Sequence, residues 1–125
     1  MITKKEKLKR HKLTKTYQKK QKKRELNKKD KEWRENVLKN YDNCCCVCGR
    51  QDLIHCHHFI PRENKQFRHN PKNGCCLCPN HHKFSLQISA HKSSFVFLTF
   101  FEKNYPWEYM NLLELLKNSK IGEYS

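Results

Sequence analysis

The residues best suited to chemistry lie in two short runs that are rich in cysteine and histidine. The first, "CCCVCGRQDLIHCHHFIPR", covers residues 44–62, and the second, "NGCCLCPNHHKF", covers residues 73–84. Thiolate and imidazole are ligands that zinc prefers in proteins, and a neutral imidazole is also a suitable general base near pH 7. The two runs therefore predict metal binding, proton transfer, or both.

Each run offers one pair of zinc ligands. Cys45 and Cys48 are spaced so that two thiolates face one ion, and Gly49 after them relieves the tight turn. Cys78 and His81 offer the second pair, which completes a Cys3His set typical of structural zinc.

The register of this set is open. Four neighbouring cysteines are rival ligands: Cys44, Cys46, Cys75 and Cys76. Cys75 and Cys78 themselves have the spacing of a ligand pair. Alternatively, Cys56, Cys75 and Cys76 are small apolar side chains in the core.

A second site is predicted from adjacent histidines. His57 and His58 follow one another on a segment that we expect to be extended, so their side chains point to opposite faces. His82 directly follows His81. If His57 and His82 converge, they form a two-imidazole site that is open to water and to a phosphate oxygen. The alternatives are a second structural zinc site formed by His57 and His58, with or without Cys56, and an additional contact of His91 with the metal.

The motif "HHFIP", followed by Asn73 and then by Cys78-x-x-His81-His82, resembles the HNH endonucleases, whose ββα-metal core carries a His–Asn–His signature. The resemblance extends from about Cys45 to His82. The longer stretch "HHFIPRENKQFRHNPKNGCCLCPNHH" is similar to short phage HNH proteins of the NinG type, which are recombination nucleases. The resemblance implies a small α+β fold with a ββα-metal core that a Cys3His zinc site stabilises.

The resemblance also implies a role for each matched residue. His58 would be the general base, and His57 and His82 would hold one Mg²⁺ or Mn²⁺ ion that stabilises the leaving 3′ oxygen. Asn73 would fix the strand that carries His58, and the zinc ligands would be Cys45, Cys48, Cys78 and His81. The implied activity is hydrolysis of phosphodiester bonds in DNA, including branched or recombination intermediates, with 5′-phosphate and 3′-hydroxyl products. Many family members have Asp where His57 stands, which leaves the choice of catalytic metal open.

The charge distribution points to a polyanionic partner. The chain has 125 residues with a net charge of +15, and residues 1–40 hold 17 Lys and Arg against 5 Asp and Glu. Such a basic arm attracts nucleic acid, although a solvated, solubilising tail is the plain alternative. Four basic side chains lie in the loop between the two runs and are either phosphate contacts or ordinary solvated charges: Arg62, Lys65, Arg68 and Lys72.

The elements that position these residues are predicted from the spacing of apolar residues and from Pro and Gly. We expect a basic arm at residues 1–29, flexible or nascently helical, and a nuclease domain at residues 30–125. A helix over residues 30–41 begins at Asp30 as its N-cap and docks through an apolar face that includes Trp33 and Val37. The core of the domain covers residues 44–90, and C-terminal helices fall within residues 93–119. Aromatic residues at six positions are predicted to lie in the core: Trp33, Phe95, Phe97, Phe100, Phe101 and Trp107.

The expected partner is therefore DNA, with no membrane and no small-molecule substrate, and the oligomeric state is left open. An N-terminal signal sequence and a long apolar segment are lacking, so an intracellular location is expected, cytoplasmic or, in a eukaryote, nuclear. The rival function is a zinc-ribbon module that binds DNA or RNA without cutting it, or a recombination accessory factor. A third reading makes the arm an RNA-contacting tail or a nuclear import signal.

Overall fold

A long N-terminal helix leads into a small α+β domain in the computed structural model of the protein, which describes residues 2–119. Residue 1, at the start of the predicted basic arm, and residues 120–125, at the end of the predicted nuclease domain, lie outside the described residues. The elements follow in the order α1 (Lys4–Asn40), β1 (His55–His57), β2 (Cys75–Leu77), a π-helical turn (Asn80–Phe84), α2 (Ser94–Asn104) and α3 (Pro106–Lys117). The predicted combination of a helical arm with a small α+β fold is confirmed.

Helix α1 starts much earlier than the sequence pattern indicated. Thr3 is its N-cap, and the Thr3 hydroxyl and the Glu6 carboxylate form a reciprocal capping box with the backbone. Good helix formers follow without any Pro or Gly, so the helix continues for 37 residues. The predicted start at Asp30 is wrong, because Asp30 lies inside the helix and its carboxylate binds a distant loop instead.

The last turns of α1 pack on the sheet through Trp33 and Val37, both of which are buried. The approach is close at Gly74, where an added Cβ would lie 2.7 Å from the Trp33 ring and 2.9 Å from Val37. Glycine at this position therefore allows the helix to sit directly against the start of β2. The described side chains from Lys4 to Lys29 are almost all exposed.

Strands β1 and β2 pair antiparallel, with His55 opposite Leu77, Cys56 opposite Cys76, and His57 opposite Cys75. All three residues of β2 are fully buried, whereas those of β1 are partly exposed. The buried strand anchors the sheet, and the strand that carries the histidines faces a cleft on its outer side.

Helices α2 and α3 close the other side of the core. Phe97 and Phe101 of α2 are fully buried against Leu77, and Leu112 of α3 is buried with them. Tyr105, between the two helices, donates its hydroxyl hydrogen to the Cys46 carbonyl at 2.7 Å. Two of the six aromatic residues predicted in the core are instead 83% and 75% exposed, and they are Phe95 and Trp107. Both project from the helix faces opposite the buried residues.

No helix in the described part of the chain combines the length and the apolar character needed to cross a membrane.

Candidate metal centres and active site

Two turns bring the predicted zinc ligands together. In the first turn, the Gly49 amide donates to the Cys45 carbonyl, and Gly49 adopts φ +78°, a conformation that favours glycine. The second pair of ligands follows β2 directly, with Cys78 at the strand end and His81 in the π-helical turn. Ligand atoms of Cys45, Cys48, Cys78 and His81 all lie within 4.8 Å of one another.

The distances within this cluster match the edges of a zinc tetrahedron. The Cys48 and Cys78 Sγ atoms are 3.8 Å apart, and His81 Nδ1 lies 3.2 Å from Cys78 Sγ and 3.7 Å from Cys45 Sγ. Bonds of about 2.3 Å to sulfur and 2.0 Å to nitrogen give tetrahedral edges of roughly 3.5–3.8 Å. The Cys3His cluster is therefore compatible with a structural zinc ion.

The rival cysteines lie outside this cluster. Cys75 and Cys76 are fully buried in the core, and Cys46 is buried beside them. Cys44 donates its thiol hydrogen to the Asp42 carbonyl, and Cys56 is half-buried opposite Cys76. The reading of Cys75 and Cys76 as apolar core side chains is confirmed by their burial.

Three further histidines converge on the other side of the π-helical turn. Ligand atoms of His57, His82 and His91 lie within 4.8 Å of one another, and Nε2 of His82 is 3.0 Å from Nε2 of His91. The π-helical turn separates two adjacent residues, so that His81 faces the Cys3His cluster while His82 faces this one. We call the set of His57, His82 and His91 the tri-histidine cluster.

Backbone pairing explains how His91 reaches this cluster. The amides of Ala90 and His91 donate to the carbonyls of His81 and His82, which folds the segment after the turn back onto it. On the far side of His82, Nδ1 lies 3.1 Å from Nδ1 of His55. An imidazole bound through Nε2 usually donates its other N–H to a neighbour, and His55 is placed to accept it.

Burial favours the neutral form of His57 and of His82. Burial, with a smaller contribution from the neighbouring imidazoles, lowers the pKa of His57 to about 3 and that of His82 to about 4. Neutral imidazoles have free lone pairs for a cation, so the cluster is chemically suited to a transition-metal ion. Among the described residues, no carboxylate joins this cluster.

His58 points away from the tri-histidine cluster toward α1. Its ring stacks on the indole of Trp33, and its Nε2 donates to the Arg68 carbonyl at 2.9 Å. With the proton on Nε2, Nδ1 is left as the proton acceptor of the ring. Partial burial lowers the pKa of His58 below 6.5, so the ring is neutral near pH 7.

Asn73 is fully buried and ties together both sides of the loop that follows His58. Its Oδ1 accepts from the Ile60 amide at 2.7 Å, and its Nδ2 donates to the carbonyls of Ile60 and Phe67 at 2.9 and 3.2 Å. These three bonds fix the segment just after His58 against the start of β2.

A single open cleft of about 640 Å³ contains His58 together with all three members of the tri-histidine cluster. Of the four basic loop residues, Arg62 lines this cleft, and so does Lys83, which sequence analysis did not single out. Arg68 is instead held by Asp30 in a bidentate ion pair with contacts of 2.9 and 2.8 Å. Lys65 and Lys72 are exposed outside the cleft.

Comparison of the chain with models of protein families, with curated proteins and with solved structures finds no significant match.

Proposed function

We propose that the protein is a metal-dependent DNA endonuclease of the HNH type. The observation that supports this most is the shared cleft, in which one neutral histidine with a free acceptor nitrogen lies beside three histidines suited to a cation. Hydrolysis of a phosphodiester needs a base for water and positive charge near the phosphate, and the cleft offers residues for both.

The proposed β-β-helix core departs from the expected pattern in its third element. The antiparallel strands β1 and β2 are followed by the π-helical turn rather than by a regular α-helix. Short π-helical segments are rare in proteins overall, and those that do occur are often found at functional sites. Here the turn carries one ligand of each cluster, so we assign it the role of the metal-binding helix.

In the proposed mechanism, His58 accepts a proton from the attacking water at Nδ1 while its Nε2–H remains on the Arg68 carbonyl. Arg62 and Lys83 contact the phosphates next to the scissile bond, and Asn73 holds the His58 segment in place. The tri-histidine cluster would hold a divalent ion, which would supply positive charge near the scissile phosphate and the leaving 3′ oxygen. The products are 5′-phosphate and 3′-hydroxyl ends.

The ligand set bears on the choice of that ion. Mg²⁺ prefers oxygen ligands, whereas imidazole suits later transition metals. Because the cluster consists of three histidines, we propose that Mn²⁺, Co²⁺ or Ni²⁺ supports cleavage better than Mg²⁺. The Cys3His cluster would hold a separate structural zinc ion.

Nicking of supercoiled plasmid tests the assignment of the general base. Removal of a general base costs about 100-fold or more in rate, so we expect a loss of that size in His58→Ala. His11→Ala is the matched control, because His11 is exposed on α1 far from the cleft, and it should cleave like the wild type. DNA binding without nicking, at any added metal, would instead support the non-catalytic zinc-ribbon module.

A further inference from the structure

The continuity of α1 fixes which way its basic side chains face relative to the domain. The helix runs without interruption from Lys4 to Asn40, so each position has a defined rotation relative to Trp33 and Val37. These two residues mark the side of the helix that touches the domain, and Trp33 contacts His58. Residues elsewhere on the same line of the helix therefore lie on the side of α1 on which the domain and its candidate active site lie.

Four lysines continue that line beyond the domain. Lys12, Lys15, Lys19 and Lys22 follow one another at alternating steps of three and four residues. The same steps lead on through the partly exposed Leu26 to Trp33 and Val37. At about 100° per residue, the four lysines lie within roughly 40° of the mean direction of Trp33 and Val37. We call this set the lysine stripe.

The lysine stripe is exposed and makes no contribution to the core. The acidic residues of the same part of the helix, Glu6 and Glu25, are rotated away from the stripe by about 100° or more. Lysines at these heptad-like positions would repel one another in a helix pair, so a second copy of this chain does not fit the surface. A polyanion does.

We propose that the lysine stripe is a one-sided docking surface for the phosphate backbone of the same DNA duplex whose scissile bond lies in the histidine cleft. This inference rests on the proposed function for the identity of the partner. The arm then acts as a rigid extension of the active-site face rather than as a flexible basic tail. Its contacts carry no sequence information, because they go to phosphates.

Helix geometry gives the position of these contacts along the DNA. At 1.5 Å per residue, the stripe begins about 16 Å from Trp33 at Lys22 and ends about 32 Å away at Lys12. For a duplex running alongside the helix, with phosphates every 3.4 Å on each strand, this corresponds to roughly five to nine base pairs from the cleft. A duplex that ends less than about five base pairs from the cleft, on the side along which α1 extends, should lose the contribution of the stripe.

A matched pair of charge variants tests the direction of the surface. Lys12, Lys15, Lys19 and Lys22 are all changed to Gln in one full-length protein. In the control, four basic residues rotated by about 120° or more from the mean direction of the stripe are changed to Gln: Arg10, Lys20, Arg24 and Lys28. Affinity for a fluorescent duplex of roughly 30 base pairs, long enough to cover the stripe at 3.4 Å per base pair, is measured without divalent metal as salt is varied.

The stripe variant should bind at least tenfold more weakly, with a slope of log K against log salt reduced by about 3.6 for four lost phosphate contacts. The control should keep a slope closer to that of the wild type. Equal losses in both variants would overturn the inference, because the arm would then act only through its net charge.

A second pair of variants rotates the stripe without changing its charge. Two alanines inserted after Asn27 turn it by about 200°, whereas seven alanines return it to within about 20° of its original direction. The two-residue insertion should bind as weakly as the stripe variant, and the seven-residue insertion should bind like the wild type. Equal affinity of the two insertions would contradict the inference.

These measurements separate the inference from the proposed function, because binding is read without cleavage. A protein that never nicks but shows the expected difference between stripe and control loses the nuclease assignment and keeps the docking surface. A protein that nicks but shows no such difference keeps the nuclease assignment and loses the surface. Tighter binding of an RNA duplex of equal length would overturn the choice of DNA as the partner.

Discussion

The indole of Trp33 stacks on the imidazole of His58, with ring centroids 3.7 Å apart and planes inclined by only 4°. Nε1 of Trp33 donates to the Asn70 carbonyl, which fixes the indole from its other side. One turn earlier on α1, Asp30 holds Arg68, whose carbonyl accepts the hydrogen bond from His58. The long basic helix is thus also a support for the proposed general base.

Asp30→Asn tests this positioning role. The Arg68 guanidinium keeps the pKa of Asp30 near 2, so the carboxylate is charged at working pH and its loss weakens the hold on Arg68. We expect nicking to slow about tenfold through kcat with little change in KM, because an interaction that aligns the base is lost. Glu32→Gln, an exposed neighbour on the same helix, is the control. Unchanged kcat in Asp30→Asn would show that His58 needs no support from α1.

The pH dependence of cleavage tests the protonation state of His58. Because burial lowers the pKa of this imidazole, the base stays neutral at pH values where an exposed histidine is already protonated. The acid limb of kcat/KM should therefore fall below pH 6.5. Rates are measured with saturating metal at each pH, so that metal loss does not imitate the titration. An acid limb above pH 6.5 would argue against a partly buried imidazole as the base.

Cys78→Ser tests the contribution of the Cys3His cluster to folding. Binding of structural zinc supplies on the order of 10 kcal/mol, which is comparable to the whole stability of a small domain. We expect this variant to lose zinc and its cooperative unfolding transition. Cys44→Ser is the control, since Cys44 lies next to a ligand but outside the cluster. A Cys78→Ser protein with full zinc content and an unchanged melting temperature would show that the ligands are different.

Asn73→Ala tests the buried amide. The substitution leaves the Ile60 amide and two carbonyls without their partner in a fully buried position. An unsatisfied buried polar group costs about 1–3 kcal/mol, so we expect a loss of about 3 kcal/mol in the free energy of unfolding. Urea denaturation of the zinc-loaded protein measures it, with Gln66→Ala as a control on the loop surface. A loss under about 1 kcal/mol would mean that the loop is held in some other way.

The Cys3His cluster could be predicted from sequence because the spacing of its candidate zinc ligands is local. Two residues between Cys45 and Cys48, and two between Cys78 and His81, determine which side chains can face one ion. The predicted convergence of His57 with His82 depended on tertiary structure, which local spacing does not determine. The structure brings the two side chains together. His91 was only an alternative, since its approach depends on backbone hydrogen bonds that fold residues 85–91 back on the turn.

Boundaries and helix faces were harder to predict for physical reasons. The start of α1 is set by a capping box at Thr3 and Glu6, which lies far from the apolar residues that suggested a helix. In α3, Trp107 was predicted to lie in the core, yet it is exposed and the helix buries Leu112 instead. Which of two apolar sides is buried depends on the partner surface, and local sequence does not contain that information.

Metal activation of cleavage tests the central claim most directly. Protein that retains its zinc but is freed of exchangeable metal is titrated with Mn²⁺, and the rate of plasmid nicking is followed. We expect no nicking without added ion, a single saturable rise with Mn²⁺, and loss of that rise in His82→Ala while its zinc content stays at one per chain. Full nicking without added ion, or an undiminished response to Mn²⁺ in His82→Ala, would contradict an exchangeable catalytic ion at the tri-histidine cluster.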